Sequence, residues 1–336
     1  MCLQCTVRFI SLCAQLDLGG PAMIRRSSTV AVVAAAAVAL VMGLPLGAAA
    51  STVKAVEYPV AAGIGGVTLL TAGPDGTVWF TERVAATIGH ITPHGVVHQF
   101  PIPPPAPGMP SPAVIGIATG SDGALWFASA APDAGRMTTA GVFSWFPLSS
   151  SPIWVAAGPD GSLWYTEVNG RIARVSTAGA VMEFPAPPSG NLPAAITAGP
   201  DGAMWFSEYA QLIGRITTSG VYSEFPLDHP SSNSCLAAGP DGRVWIAEQG
   251  YLAAVSSSGV MKDHPAPAVS GSGCLATKGA FMWFTTSNGI GRMAAGGMFA
   301  TFASPSGAAS LALCLGPDGH IWSAEGNSIA RWVRGP

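Results

Sequence analysis

Charge is scarce in this chain of 336 residues, with 15 Lys and Arg against 18 Asp and Glu, 10% of the whole, and a formal net charge of −3. No basic run occurs, so nucleic-acid binding, whose affinity comes from cations set against phosphates, has no electrostatic support. Cysteine is rare too: six are present, and Cys2, Cys5 and Cys13 fall near the N-terminus. Within residues 51–336 there is no nucleophile elbow, phosphate loop, HExxH, CxxC or EF-hand pattern, which removes the chemistries those motifs carry. Long apolar runs are also missing, except over about residues 30–46.

That one run has a specific context. Arg25 and Arg26 precede it and Ala48, Ala49 and Ala50 follow it, the order of a secretory signal peptide over residues 1–50. Met23 is the natural start, and the paired arginines fit the twin-arginine route. An uncleaved membrane anchor is the alternative, against which the run is shorter than a comfortable span; after cleavage no membrane association is expected. Residues 51–336 then form a single secreted domain with 12 basic and 17 acidic residues, a net charge of −5.

Glycine and proline are abundant, at 42 and 29 residues, and they recur in register. Gly-Pro-Asp-Gly stands at residues 73–76, 158–161, 199–202, 239–242 and 316–319; residues 120–123 are a near copy and Thr277-Lys278-Gly279 a degraded one. A tryptophan follows each: Trp79, Trp126, Trp164, Trp205, Trp245, Trp283 and Trp322, with gaps of 47, 38, 41, 40, 38 and 39 residues. A period near 40 residues with one fixed aromatic is the signature of a propeller or solenoid. In residues 196–208 a short apolar run, a Pro-Asp-Gly turn and an alternating Met-Trp-Phe-Ser segment read as a hairpin. A third strand over residues 212–216 and a fourth ending Glu224-Phe225-Pro226 complete a four-stranded blade.

The fourth-strand ending fixes the count. Versions of Glu-Phe-Pro end six units, and none follows Trp322, yet Glu57-Tyr58-Pro59 stands before the first unit. The economical reading is an all-β, seven-bladed propeller in which residues 56–60 supply the outer strand of blade seven and so remove the ring's open edge. Seven prolines within residues 101–112 predict a stiff connection between blades one and two. Cys235, Cys274 and Cys314 lie near the first strands of blades five, six and seven and read as small buried apolar residues; a bridge between adjacent blades depends on the ring's radius.

Propeller topology places the loops leaving the second strands on one face. Glu82, Glu167, Glu208, Glu248 and Glu325 stand there, each three residues after its tryptophan, where gathered carboxylates could raise one another's pKa or hold a hard cation. A feature repeated in five blades is more often a fold feature than a catalyst, because a catalytic centre is needed once. Arg174, Arg215 and Arg331 on third strands could neutralise Glu167, Glu208 and Glu325, which leaves Glu82 and Glu248 least explained. His229 is the only histidine expected on this face, with Asp228 beside it to orient it, though a loop histidine is more often merely solvated. Trp154 and Tyr209 could stack on a planar or apolar ligand, as could Tyr251, with packing between blades the competing role for Trp154.

Trp79-Phe80-Thr81-Glu82, Ile213-Gly214-Arg215-Ile216 and Glu224-Phe225-Pro226-Leu227, on the Gly-Pro-Asp-Gly frame, resemble the virginiamycin B lyase (streptogramin lyase) family over about residues 56–334. The resemblance implies a seven-bladed propeller that opens a cyclic depsipeptide by elimination: a base removes the proton α to an ester carbonyl, magnesium polarises that carbonyl, and the C–O bond breaks. The family's carboxylate place is matched by Glu325. Its two histidine places fall near Ser272 and Leu311, and its aromatic place near Thr68, so the residue type differs at all three.

Two functions follow. The first is a secreted, magnesium-assisted C–O lyase for a cyclic ester-containing peptide, with Glu82 and Glu325 holding the ion across the ring closure, Glu325 and His229 in catalysis, and Glu248 as an acidic wall residue. The second is a non-catalytic extracellular propeller that presents Trp154, Tyr209 and Glu248 to a small-molecule or cyclic peptide ligand. A third, weaker reading is a lactonase-like propeller whose calcium needs a carboxylate and an Asn converging on one central ion, with Asn191 and Asn233 on suitable loops. A monomer is expected in either case.

Overall fold

The computed structural model describes residues 53–60, 66–108, 110–209, 211–229, 235–269 and 273–334. The signal-peptide segment, Ser272 and Asn233 lie outside them. Twenty-eight strands form seven four-stranded sheets, and each of the first six is an antiparallel meander in chain order. The seventh is composite: Val53–Pro59 pairs antiparallel with Ser328–Arg334, from Val53 opposite Arg334 to Pro59 opposite Ser328. Seven blades and closure by the N-terminal strand are thus both observed. No helix among the described residues is long and apolar enough to cross a membrane.

The tryptophans hold the ring together because each is a wedge into the next blade. Trp164 packs with Ile196, Met204 and Phe206, and Trp205 with Leu236, Val244 and Ile246. Trp322 packs with Val67, Leu70 and Phe80, so the last blade grips the first. Six of the seven are fully buried, and a buried indole needs a partner for its N–H. The turn aspartate supplies it. Asp201 Oδ1 accepts from Trp205 Nε1 at 3.0 Å, while its other oxygen takes Arg215 Nε at 2.7 Å. Gly202, at φ +75°, closes the turn, a conformation in which a Cβ is strained.

The third-strand arginines therefore pair with turn aspartates and not with the second-strand glutamates. Arg136, Arg174, Arg215 and Arg331 reach Asp122, Asp160, Asp201 and Asp318 at 2.6 to 2.8 Å. Register explains it: Arg215 lies opposite Trp205, so its side chain follows the indole toward the turn, away from Glu208 at the strand's other end. Asp201→Ala removes the ion pair and strands a buried indole donor, and is expected to cost about 3 kcal/mol in urea unfolding.

Candidate functional site at the mouth of the ring

The seven first strands surround a central channel of about 450 Å³, lined by apolar and threonine side chains such as Leu70, Ile117, Val155, Ile196, Leu236 and Leu313. A second depression of about 230 Å³ is bordered by Thr68, Leu69, Arg83, Val114, Ile115, Trp154, Cys235, Cys274 and Leu311. Arg83 follows the second strand of blade one, which puts this depression on the face where those strands end. Trp154 borders both spaces. Although it belongs to blade three, it packs against the cluster holding Cys235 and Cys274 of blades five and six. Its indole thus crosses the axis and forms the boundary between mouth and channel.

Cys235 and Cys274 are joined, with Cα atoms 4.7 Å apart, while Cys314 is free. The reading of these cysteines as merely buried apolar residues gives way, for two of them, to the bridge between adjacent blades that hung on the ring's radius: adjacent first strands approach closely at the narrow inner end, so equivalent positions come within bridging distance.

The five glutamates end their second strands as expected, yet they turn into their own blades instead of toward one another. Glu82 accepts from Thr87 Oγ1 and, at 2.7 Å, from Gln99 Nε2 on its outer strand. Glu208 accepts from Ser189 Oγ at 2.7 Å, and Glu325 from Ser323 and Ser310 at 2.9 and 3.3 Å. Small third-strand residues open this path: a Cβ on Gly214 would lie 2.8 Å from Glu208 Oε1. Beyond that glycine stands Glu224, and each of four inner carboxyls faces an outer one in this way: Glu167 with Glu183, Glu208 with Glu224, Glu248 with Asp263, and Glu325 with Glu57.

Protons divide unevenly within these pairs. Burial first, then the facing carboxylate, pushes Glu167, Glu208 and Glu325 up to about 7, with serine hydrogen bonds working against both. Glu248 rises to about 8 through burial, Asp263 and Asp228. Glu183 goes the other way: burial acts upward, but hydrogen bonds from Ser149 and Arg171 hold it below its ordinary value. The outer carboxylates anchor the loops leading into the blades, accepting from the backbone N–H of Ser149 at 2.7 Å, Ser189 at 3.0 Å and Ser306 at 2.9 Å. In blade five the loop offers His229 instead. Its Nε2 lies 3.4 Å from Asp263, its ring stacks on Tyr251 at 3.8 Å, and Asp263 takes the orienting place expected of Asp228.

Of the sequence-derived residues, the structure brings Trp154 to the mouth, together with Thr68 and Leu311. Tyr209 is 47% exposed and outside the lining of the mouth, as is His229. Glu82, Glu248 and Glu325 are buried at separate blade ends. Among the described residues no three His, Cys, Asp or Glu side chains converge as a metal site. Arg83 and Ile115 were not anticipated; the signal for Arg83 was its place directly after Glu82, in a loop leaving a second strand.

A closed ring of seven four-stranded sheets with an apolar depression at its mouth defines a seven-bladed β-propeller. The chain belongs to the virginiamycin B lyase family, whose model matches residues 53–332. It is similar in structure to selenomethionine-substituted virginiamycin B lyase from Staphylococcus aureus, with a TM-score of 0.75 and 28% identity over 84% of this chain and 99% of that one. A streptogramin B lyase structure gives the same TM-score at 27% identity, covering 84% of this chain and 98% of its own. A third match, at 28% identity, 84% and 99% coverage and TM-score 0.75, is a catalytically inactive His-to-Ala variant of the S. aureus enzyme with quinupristin. No curated protein matches the chain by sequence.

Proposed function

We propose that the chain binds a cyclic peptide, of the kind its relatives handle, at the mouth, with Trp154 as the stacking floor and Arg83 as the one cation at the rim. The observation that carries this reading is the indole lying across the axis in an otherwise apolar depression, an arrangement suited to an apolar or aromatic ring. Quinupristin, held by the S. aureus variant, is the natural probe. Titration is expected to be saturable and to alter tryptophan fluorescence. Trp154→Ala is expected to weaken binding at least tenfold, on the order of 2 kcal/mol for a lost aromatic contact. Unchanged affinity in that variant would remove the proposal.

Magnesium or calcium at Glu82 and Glu325 fits the present side chains poorly. Each carboxyl is bonded within its own blade, so a shared ion would require both to leave those partners. Chelator treatment is therefore expected to leave quinupristin binding unaltered.

Elimination is a second reading, favoured by one feature. Glu325 stands in the family's carboxylate place with its pKa near 7, the range of a general base. Above that pH it could take the proton from the carbon next to the one that bears the ester oxygen; a C=C bond then forms, the C–O bond breaks and the carboxylate leaves. The residue is 3% exposed and its carboxyl is serine-bound, so it must first turn toward the mouth. Mass spectrometry separates the outcomes, since an eliminated product keeps the substrate's mass and a hydrolysed one gains a water. Export of the mature chain is part of the same proposal, supported by the Cys235–Cys274 bridge, a feature of oxidising compartments.

A further inference from the structure

Blade six departs from the rule that every wedge tryptophan has a turn aspartate. Its turn has Lys278, Gly279, Ala280 and Phe281 between Thr277 and Met282, one residue fewer than the five between Ala198 and Met204 in blade four. With the aspartate gone, Trp283 Nε1 is buried and has no hydrogen-bond partner, in a residue only 6% exposed. Arg292, opposite Trp283 in register, likewise has no carboxylate; its guanidinium lies among the rings of Phe281, Trp283 and Phe302, 4.9 to 5.8 Å from their centroids. Arg136, Arg174 and Arg331 each have both an indole and an acid.

A cavity of about 280 Å³ adjoins these groups, between blades six and seven on the face of the turns, away from the mouth. Lys278, Arg292 and Arg334 line it with Val53, Phe281 and Trp332. Asp318, the nearest acid to act on Lys278, is already bonded to Trp322 and Arg331. Among the described residues six basic side chains make no ion pair, namely Lys54, Arg83, Lys262, Lys278, Arg292 and Arg334, and half of them meet here. In a folded domain that is otherwise acidic, three cations without an acidic partner thus stand beside a buried, unpartnered donor.

We propose that this cavity binds a small organic carboxylate with a flat apolar body. The carboxylate pairs with Arg292, Lys278 and Arg334, doing in trans what the turn aspartate does in the other blades, and the apolar body lies against Val53, Phe281 and Trp332. Burial and the Arg334 charge lower the Lys278 pKa, a cost that a bound anion relieves.

Benzoate and its uncharged analogue benzamide test this on the purified chain. The indole N–H resonance of Trp283, assigned through Trp283→Phe, and calorimetry are the readouts. Benzoate is expected to bind saturably and shift that resonance, and benzamide to do neither. Arg292→Gln combined with Lys278→Gln is expected to weaken benzoate binding at least tenfold. Grafting the Gly-Pro-Asp-Gly-Ala turn of blade four in place of residues 278–281 gives the blade its own carboxylate; it is expected to abolish benzoate binding and raise the melting temperature. Because the graft restores a packing found in its neighbours, it decides the matter if the double variant fails to fold. Equal binding of benzamide, no benzoate binding by the parent chain, or undiminished benzoate binding in the graft would overturn the proposal. Quinupristin binding at the mouth stays unchanged in the graft, so this result and that of the mouth are read separately.

Discussion

Removal of residues 53–59 is expected to abolish the folded state at ambient temperature. The strand contributes the seven-position ladder with Ser328–Arg334, but its side chains matter as much. Tyr58 stacks on Trp322 at 6.0 Å and donates through its hydroxyl to Pro93 O at 3.3 Å, so it ties blade seven to blade one. Glu57 holds the loop before blade seven through Ser306. Loss of one large core aromatic costs about 3–5 kcal/mol, against a typical total stability of about 5–15 kcal/mol. Without the strand, Ser328–Arg334 becomes an open sheet edge, which invites aggregation. Circular dichroism and size-exclusion chromatography are expected to report unfolding and association. The milder Tyr58→Ala is expected to cost about 3 kcal/mol in urea. A deletion variant melting within about 2 °C of the parent, less than 1 kcal/mol for a domain of this size, would refute the closure argument.

Stability is expected to peak on the acid side of neutrality, and Glu248→Gln is expected to remove part of its decline at higher pH. Glu167, Glu208 and Glu325 titrate near 7 in the folded chain and Glu248 near 8, all above the ordinary carboxyl value. Below the ordinary value both folded and unfolded chains hold these protons. Between it and the raised values only the folded chain does, so folding takes up protons and stability falls as pH rises through that window. The turn aspartates act oppositely. In Asp201 burial works upward, but the Trp205 and Arg215 hydrogen bonds lower the pKa, so its contribution is lost as pH falls through that lowered value. Glu248 has both oxygens buried without a partner and faces Asp263 and Asp228. Its ionisation is the most costly of the set. At pH 8 Glu248→Gln is expected to stabilise the chain by on the order of 2 kcal/mol, and at pH 5 to change little. Equal effects at the two pH values in urea unfolding would show that its proton is not the cause.

The ring was legible because its signals are periodic and local. In six blades the tryptophan sits a fixed distance from a turn that only a few residue types can make, and Glu57-Tyr58-Pro59 kept the fourth-strand pattern although it lies far from its blade in sequence. The site was legible only as a face. Strand position fixes where Glu82 and Glu325 leave the backbone, but the direction of their side chains depends on Gln99, Ser310 and Glu57, brought near by packing across the blade. The same reasoning explains the arginines: Arg215 was correctly placed on a third strand, yet its partner was decided by which strand end its side chain follows. The Cys235–Cys274 bridge needed the ring's inner radius, which no local pattern carries. Trp154 was placed on the mouth face, while its packing against the clusters that hold Ala195, Ala312, Cys235 and Cys274 of other blades arises only once the ring is closed.

The pairing of Val53 with Arg334 has one more implication. The two ends of the described ring lie side by side, so the point at which translation starts the circle is arbitrary from the standpoint of the folded molecule. A circular permutant opened within the proline-rich connector after Pro101, and joined by a short turn from Arg334 to Val53, would keep every sheet and every tryptophan wedge. Blade seven would become an ordinary continuous meander, and the task of joining the circle would pass to the contact between blades one and two.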